Sequence, residues 1–521
     1  MATSTTNDEK IASSTPHHYE QDIMQDEPKI RSEDIQDGDL ALKILHTHYE
    51  PFTPAEEKRL LRKIDFRLAV LMLFVNGIQF VDKLTISQAA TYGLVKEAHL
   101  KGQEFSLLIS IFYIGYLVAQ YPTNVLMQRF PTGKYITVNF VLWGVVLTCM
   151  GSCTRFGPFM AARFFLGVFE SCLNPGFILI TSSWWKREEQ PARIAIWYCA
   201  NGVISIPAGF IFYGVAHMNA RGLFPYQWMF IFFGIFTVIF GCCMWWLLPD
   251  SPVSARWLNE RERLIAVERL KSNKTGVKNT HHKWPQVKEA LLDPKVWMLV
   301  AGVFVHNMTN SLQTNFTGLI IKGFGYSTYQ AVLLSIPSAA IFAVTVLTVS
   351  TFLSSKYGEG KRIFAIILCY LPGVISCAIL HASPLNSHTK GLHLFAVFFI
   401  GCVAASAGIM YSLLASNVAG YTKKTVSGAL FFTAYCVANI VSPQTFIATQ
   451  APHYTTGIAV SLAAFCVNIV LFSVLYVVYT SANKRRDQMQ EGQVSQDETR
   501  DLLDAFSDLT DLENKKMRYK L

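Results

Sequence analysis

The sequence predicts an all-α membrane protein with twelve transmembrane helices in two six-helix halves. Of the 521 residues, 51% are hydrophobic and only 16% are charged, whereas ordinary soluble domains carry about 25% charged residues. Apolar runs of about 20 residues, the length that crosses a bilayer, follow one another along the chain. Basic residues collect in alternate loops between these runs. Together these observations exclude a soluble multidomain enzyme, and we expect no enzymatic activity.

Twelve apolar runs define the predicted spans. None of them alternates polar and apolar residues as a barrel strand would, and a helix satisfies its own backbone hydrogen bonds in lipid. We number the runs as the first to the twelfth span. They lie at residues 68–90, 105–126, 134–153, 158–182, 193–216, 228–248, 296–320, 329–353, 363–381, 392–414, 427–448 and 456–480.

The distribution of Lys and Arg predicts the orientation. If the N-terminus is cytoplasmic, the inside segments hold 28 of these residues and the outside loops hold 6, which is the positive-inside pattern. Both termini are therefore predicted to be cytoplasmic. The resulting organisation is a disordered tail, an N-terminal bundle, a linker, a C-terminal bundle and a second tail, at residues 1–65, 66–248, 249–295, 296–481 and 482–521. Within the linker, residues 254–270 are predicted to form a short helix on the cytoplasmic face.

A repeated loop sequence indicates that the two halves are related. Residues 129–136 read RFPTGKYI and residues 356–363 read KYGEGKRI, at a constant offset of 227 positions. Gly133 and Lys134 of the first loop thus correspond to Gly360 and Lys361 of the second. Each loop follows the second span of its half. Two such six-helix halves are typical of transporters that rock about a central site.

Charged residues inside the apolar spans are the candidate functional residues, because a charge near the bilayer centre costs roughly 2.5–3.5 kcal/mol on insertion scales. Away from their end residues, the spans contain two carboxylates, Asp82 and Glu170, and two cations, Lys83 and Arg163. Glu170 follows Arg163 by seven residues, so both project from one helix face roughly 10 Å apart along the axis. A carboxylate in a low-dielectric environment binds a proton more readily than in water, which is the property that proton coupling needs.

Structural roles remain the alternative for these charges. Asp82 and Lys83 could form an ion pair near the outer end of the first span, with the Lys83 side chain extending to water. The uncharged residues that follow favour a helix that continues, so that the pair faces a cavity. Glu170 could be a structural salt-bridge partner.

Two polar patches in the C-terminal half are candidate substrate-binding surfaces. Asn307, Asn310 and Gln313 follow helical spacing in the seventh span, so one face of this span is polar. Hydrogen bonding between helices is the alternative explanation. Tyr435 and Asn439 form a second patch in the eleventh span, close to a predicted helix break at residues 442–444.

Several other classes of chemistry are excluded. The chain lacks a phosphate-binding GxxxxGK[ST] loop and a nucleophile elbow, and its His and Cys residues show no metal-ligand spacing. We therefore expect no cofactor and no metal. The excess of basic residues lies in loops between spans, which argues against nucleic acid as a partner. The lipid bilayer is the expected surroundings, and no obligate protein partner is evident.

These motifs resemble the major facilitator superfamily and, within it, the anion:cation symporters of the fungal allantoate permease branch. The stretch RFFLGVFESCLNPG at residues 163–176 closely resembles the family's pattern in the fourth span. The resemblance covers about residues 60–480. The resemblance also rests on the two Gly-Lys loops, Asp82-Lys83, Trp184 to Glu188 with Arg193, residues 248–252, 321–325 and 416–424, Asn439, Pro443 and Ala451-Pro452.

The resemblance implies a proton-coupled secondary transporter that imports a small organic anion by alternating access. The implied cargo is a carboxylate, a ureide or a vitamin-like metabolite, and the implied location is the plasma membrane. Asp82 and Glu170 would carry protons, whereas Lys83 and Arg163 would attract the substrate carboxylate. The paired Gly-Lys loops would be a conformational motif. Lys83 replaces the family's usual Arg and Thr85 its usual Asn, which affects the substrate assignment most.

Two other functions remain open at this point. The same fold could export a toxin or a drug-like metabolite in exchange for protons. The chain could also be a transporter-like nutrient sensor, although tails of the predicted lengths give no indication of a signalling domain.

Overall fold

The helices form in the places that the apolar runs predict. The computed structural model describes residues 52–186, 188–218, 222–271, 283–386, 388–491, 509–514 and 517–521, and the regular elements in these ranges are all helical. The prediction of an all-α membrane protein is confirmed. The predicted disordered tail falls largely on residues 1–51, which lie outside the described ranges.

Within the described residues, eleven helices are long and apolar enough to cross a membrane. The core of a bilayer offers the backbone no water as a hydrogen-bond partner, so the backbone N–H and C=O groups pair within each helix. They are Pro54–Thr91, Glu104–Met127, Thr132–Met150, Phe156–Trp184, Ala192–Val215, Pro225–Leu247, Thr328–Ser354, Arg362–Ala382, Lys390–Asn417, Tyr421–Thr445 and Thr455–Met489. These helices correspond to eleven of the twelve predicted spans.

The remaining seventh span is interrupted instead of forming one continuous helix. It consists of the helices Pro294–Asn307, Asn310–Thr314 and Thr317–Gly323. At the first interruption Thr309 Oγ1 donates to the carbonyl of His306 at 2.8 Å. Short polar side chains such as that of Thr309 compete with backbone N–H groups for the carbonyl oxygens of a helix. The seventh span is therefore divided, although it is long enough to cross a membrane.

Proline residues lie at the breaks in two other spans. The fourth span divides into Phe156–Glu170 and Leu173–Trp184, and Pro175 lies in the first turn of the second helix, where its missing N–H leaves no helical hydrogen bond unmade. The eleventh span ends its α-helix at Val441 and continues as a 3₁₀ turn, Ser442–Thr445, that contains Pro443. This second break is the one that the sequence predicts.

The second and fourth spans approach each other closely in the N-terminal half. Gly115 and Gly167 face the opposite backbones, where an added Cβ would collide with the carbonyl oxygens of Phe164 and Phe112, respectively. Residues with side chains would force the helices apart. The close approach brings Arg163 of the fourth span next to Phe112.

The two halves contact each other at the ends of the spans that lie opposite the linker. Ser87 Oγ donates to the backbone carbonyl of Asn315 at 2.8 Å, and Lys322 Nζ donates to the carbonyl of Thr91 at 3.0 Å. These contacts join the end of the first span to the interrupted seventh span. The halves are therefore closed together on this face.

The linker packs against the N-terminal half through ion pairs. Its helix Glu260–Lys271 lies where the sequence predicts one, and Glu262 pairs with Lys63 at 2.6 Å. Arg269 pairs with Glu189 at 2.5 Å. Lys63 belongs to an additional helix, Pro54–Ile64, which begins ahead of the predicted bundle boundary at residue 66. The predicted inside segments of this half thus share one face.

Candidate transport site

Lys83 and Glu170 form an ion pair between the first and fourth spans. Lys83 Nζ lies 2.6 Å from Glu170 Oε1; the Lys83 side chain is 20% exposed and the Glu170 side chain is 0% exposed. Glu170 is the last residue of the helix before the break in the fourth span. The pair therefore joins two helices of the same half and keeps solvent access on the lysine side.

Gln79 is a third member of this cluster. Its Nε2 donates to Glu170 Oε1 at 2.8 Å, which is the oxygen that Lys83 also contacts. Glu170 Oε2 is buried and has no hydrogen-bond partner among the described residues. Glu170 thus has one carboxylate oxygen that contacts both Gln79 and Lys83 and a second one without a hydrogen-bond partner among the described residues.

Asp82 points to a different helix from Lys83, although the two residues are adjacent. Its Oδ2 accepts a hydrogen bond from Thr237 Oγ1 in the sixth span at 3.1 Å. The Asp82 residue is 1% exposed, and its Oδ1 has no partner within the described part of the chain. The ion pair with Lys83 that the sequence left open is not formed. Thr237 is thus the only hydrogen-bond partner of the Asp82 carboxyl group within the described residues.

Arg163 is buried beside the ion pair but does not bind Glu170. Its Nε donates to the backbone carbonyl of Leu108 in the second span at 3.1 Å. The guanidinium carbon lies 5.2 Å and Lys83 Nζ lies 5.7 Å from the centroid of the Phe112 ring. Two cations therefore share the neighbourhood of one aromatic ring. Arg163 Nη1 lacks a partner among the described residues.

The polar residues of the seventh and eleventh spans form one hydrogen-bond network. Asn310 Nδ2 donates to Asn439 Oδ1 at 2.6 Å, and Asn439 Nδ2 donates to Asn307 Oδ1 at 3.2 Å. The network connects the interrupted span to the span that breaks at Pro443. Gln313 lies in the short helix Asn310–Thr314, where its backbone carbonyl accepts from Thr317 Oγ1 at 3.0 Å. The two predicted patches are thus brought together by the asparagines.

Tyr435 links this network to the N-terminal half. Its backbone carbonyl accepts from Asn439 Nδ2 at 2.8 Å. Its ring makes an edge-to-face contact with Tyr113 of the second span, with a centroid distance of 6.1 Å. Aromatic and polar side chains of both halves therefore meet next to the charged cluster.

The two Gly-Lys loops lie at the starts of equivalent helices. Lys134 N donates to Asp250 Oδ1 at 3.1 Å, and a Cβ on Gly133 would lie 3.0 Å from the same oxygen. Gly360 has φ +71°, a left-handed conformation that favours glycine. Lys361 precedes the helix Arg362–Ala382. Both predicted loop motifs thus lie at helix starts, where the first backbone N–H groups have no partner within the helix.

Sequence reasoning missed three residues of this site. Gln79 precedes Lys83 by four positions, and helical spacing could have placed both on one face. Thr237 and Phe112 gave no signal, because a lone Thr or Phe in an apolar run is common. In the described residues, no group of three or more His, Cys, Asp or Glu residues is arranged to hold a metal ion.

Comparison with known proteins agrees with the fold. The family model of the major facilitator superfamily matches residues 72–443, so the chain belongs to this superfamily. It is a multi-pass membrane transporter, not an enzyme.

The relatives of this chain include several fungal transporters. Allantoate permease of Saccharomyces cerevisiae is 33% identical over 90% of this chain and 87% of its own length. The thiamine pathway transporter THI73 of the same yeast is 32% identical, with 88% and 86% covered. An uncharacterized transporter of Schizosaccharomyces pombe is 36% identical, with 95% and 92% covered.

Solved structures share the fold. The xylose transporter XylE from E. coli, in a partially occluded inward-open conformation, has a TM-score of 0.60 and 13% identity, with 78% of this chain and 97% of that chain covered. An inward-facing bacterial homologue of the lysosomal transporter Spinster has a TM-score of 0.55 and 12% identity, with 82% and 96% covered.

Proposed function

We propose that this chain is a proton-coupled importer of a small organic anion that works by alternating access. The observation that carries the proposal is the ion pair of Lys83 and Glu170 inside the membrane domain, at 2.6 Å. A lysine held by a protonatable partner is a site that an incoming carboxylate can occupy. The distribution of basic residues supports cytoplasmic termini, and the plasma membrane is the proposed location.

Competition for Lys83 couples the proton to the anion. In the empty site the charges of Lys83 and Glu170 cancel. When a proton binds Glu170, Lys83 is left without a counter-charge, and a substrate carboxylate restores neutrality. A proton without the anion leaves Lys83 and Arg163 both without a counter-charge, which is costly at this depth, and an anion without the proton must compete with the Glu170 carboxylate for Lys83. The empty and the fully loaded sites are therefore the two states that can change conformation.

Asp82 and Arg163 have supporting roles in this mechanism. Asp82 is buried against Thr237 and carries a second proton as a neutral acid. Arg163 keeps its hydrogen bond to Leu108 and offers its remaining N–H groups to the substrate carboxylate. Both Gly-Lys loops act at the linker face, where they hold the starts of the third and ninth spans during the conformational change.

The polar network of Asn307, Asn310 and Asn439 is proposed to bind the uncharged part of the substrate, together with Gln313 and Tyr435. Amide and phenol groups suit ligands that carry amide or ureide groups of their own. The names of the two yeast relatives support a ureide or vitamin-like metabolite. We therefore propose small carboxylates and ureides as the substrate class.

Uptake of labelled compounds into proteoliposomes tests this function. A panel that includes allantoate and other small carboxylates and ureides is assayed at two external pH values. We expect accumulation that rises with an inwardly directed proton gradient and collapses when a protonophore is added. Flux in the outward direction, driven by the same gradient, would indicate an exporter and overturn the proposal.

Glu170→Gln tests the coupling. This variant removes the proton-binding group, so we expect loss of accumulation against a gradient and loss of the pH dependence. Glu260→Gln is the matched control, because Glu260 is exposed at the start of the linker helix and its variant should transport normally. A Glu170→Gln protein that still accumulates substrate with normal pH dependence would refute the mechanism.

A further inference from the structure

The C-terminal half carries a docked segment at its linker face that neither the transport site nor the family motifs use. It comprises residues 509–521, of which 509–514 and 517–521 are described, and we name it the strap. We propose that the strap is a releasable intramolecular ligand of this face. When docked, it holds the ends of five spans together and slows the conformational change of transport.

Asp511 anchors the strap to a buried lysine. Lys423 Nζ at the start of the eleventh span is 0% exposed and lies 2.6 Å from Asp511 Oδ1. The same nitrogen binds Asp293 Oδ2 at 2.7 Å and Glu289 Oε1 at 2.9 Å. Lys423 therefore keeps two carboxylate partners when Asp511 departs. This property distinguishes a releasable contact from one on which folding depends.

Tyr519 fixes the strap to the twelfth span. Its ring stacks on Tyr479 with a centroid distance of 4.8 Å and an interplanar angle of 10°. Its hydroxyl donates to Asp511 Oδ2 at 2.7 Å, so the two anchors of the strap also hold each other. Lys295 of the seventh span contacts Asp511 at 3.1 Å.

The last two residues of the strap form hydrogen bonds with the tenth and ninth spans. Lys520 N donates to Asn417 Oδ1 at 2.7 Å, and Asn417 Nδ2 donates to the Lys520 carbonyl at 2.9 Å. Arg362 N, at the start of the ninth span, donates to the carbonyl of Leu521 at 2.8 Å. These two-way contacts specify the register of the strap.

The contact with Arg362 has a counterpart in the other half. Asp250, which follows the sixth span, accepts from Lys134 N at the start of the third span. The strap follows the twelfth span and supplies an oxygen at the start of the ninth. Each half thus has the free N–H groups of one helix start covered by the segment that follows its last span. In the C-terminal half, that segment also binds Asn483 and Arg486 of the twelfth-span helix.

The strap connects the linker-side ends of five spans of one half. The halves are now closed at the face opposite the linker, and the proposal is that reopening there shifts the ends of the tenth and eleventh spans against the seventh, ninth and twelfth. The strap ties these ends, through Asn417 and Lys423, to the seventh, ninth and twelfth spans. Docking therefore stabilises the present conformation, and release permits the change.

Labelling at Ser87 measures this change without a substrate. Ser87 is 3% exposed beneath the contact of the two halves, so a Ser87→Cys variant reacts with a membrane-impermeant maleimide only when that face opens. The full-length protein is labelled in vesicles, and modification of residue 87 is quantified by mass spectrometry. Adding Asp511→Ala releases the strap, and we expect labelling to be about 5-fold faster, the lower end of common conformational couplings.

A reversible lock provides the second arm. Asn417→Cys with Lys520→Cys, in the Ser87→Cys background, forms a disulfide on oxidation and holds the strap in place. We expect slower labelling in the oxidised sample than in the same sample after reduction. This comparison decides the matter within one folded protein, even if Asp511→Ala is unstable.

Asp487→Asn is the matched control, because Asp487 binds Arg518 of the strap at 2.7 Å but is 58% exposed, and exposed pairs contribute little. It should leave labelling unchanged.

Limited proteolysis reports docking: cleavage of the strap should be slow in the parent and fast in Asp511→Ala. Equal cleavage of both, or fast cleavage with unchanged or slower labelling, would overturn the proposal. Since no substrate enters these assays, their failure is distinct from failure of the proposed anion import.

Discussion

Asp82 and Lys83 illustrate how two adjacent residues of one helix act on different partners. Successive side chains of a helix point about 100° apart, so Asp82 reaches Thr237 in the sixth span and Lys83 reaches Glu170 in the fourth. Gln79 lies one turn before Lys83 and contacts the same Glu170 oxygen. The first span therefore carries the Asp82 carboxyl group on one side and binds the Glu170 carboxylate on another.

A lysine suits the exchange of partners better than an arginine does. Its ammonium is a compact charge on a flexible stem, whereas a guanidinium forms a rigid fork that holds a carboxylate with two bonds. Lys83 can therefore turn from Glu170 to a substrate carboxylate with little change in the helix. In the proposed mechanism, a lysine in place of the family's usual Arg can therefore bind Glu170 and the substrate anion in turn.

Removal of the Lys83 charge should damage both stability and transport. Lys83→Ala leaves the fully buried Glu170 without its counter-ion, and breaking a buried pair from one side costs about 3–5 kcal/mol. We expect a lower midpoint of thermal unfolding in detergent and loss of uptake. The double variant Lys83→Ala with Glu170→Ala should regain most of the stability but no uptake. If the double variant is as unstable as the single one, the pair is not the source of the effect.

The charged part of the site was predictable because of its energetic cost. Asp82, Lys83, Arg163 and Glu170 stand out in the sequence since few charges are tolerated in apolar spans. Their pairing was not predictable. Arg163 and Glu170 share a helix face, yet Arg163 binds the carbonyl of Leu108 and Lys83 takes the carboxylate, because only the packing of the second span against the fourth decides which group is near.

At the scale of helices, the interrupted seventh span and the broken eleventh span belong together. Asn439 Nδ2 and Oδ1 contact Asn307 and Asn310, which lie on opposite sides of the first interruption. A helix end exposes backbone groups that need partners, and Ser442 Oγ of the 3₁₀ turn donates to the Met308 carbonyl at 2.8 Å. Each break therefore satisfies polar groups of the other.

The sequence predicted one of these two breaks. Pro443 predicts the end of the eleventh α-helix, since proline has no N–H to donate. The interruption of the seventh span has no proline. It depends on Thr309 and on partners from another helix, and a hydropathy pattern contains no information about such partners.

Asn439→Ala should uncouple the two broken spans. It removes the hydrogen bonds to Asn307 and Asn310 and leaves buried amide groups unsatisfied, at about 1–3 kcal/mol. We expect a lower unfolding midpoint and a higher KM, because the proposed substrate-binding amides lose their orientation. Asn468→Ala, a buried asparagine that contacts Tyr370 at 3.2 Å, is the matched control and should lower stability without raising KM. Equal KM values in both variants would remove Asn439 from the binding surface.

At the scale of the whole molecule, each half has its linker face covered by segments outside the spans. In the N-terminal half the helices Pro54–Ile64 and Glu260–Lys271 are held by the ion pairs of Glu262 and Arg269. In the C-terminal half the strap takes this position through Asp511. These ion pairs lie within one half together with its own flanking segments, so they do not tie the two halves to each other.

The contacts that close the opposite face are small and close-fitting, which makes them suitable for shifting the balance between conformations. A Cβ on Gly318 would lie 2.5 Å from Thr91 Oγ1, so Gly318→Ala forces the first and seventh spans apart. We expect faster maleimide labelling of Ser87→Cys in this variant, because the open face becomes more populated. Adding Thr91→Ala removes the colliding oxygen and should restore slow labelling. Gly391→Ala is the control, since nothing lies within 4 Å of a Cβ at that position, and it should leave labelling unchanged. Slow labelling in Gly318→Ala would mean that the two halves yield locally without separating, and that this contact does not govern alternating access.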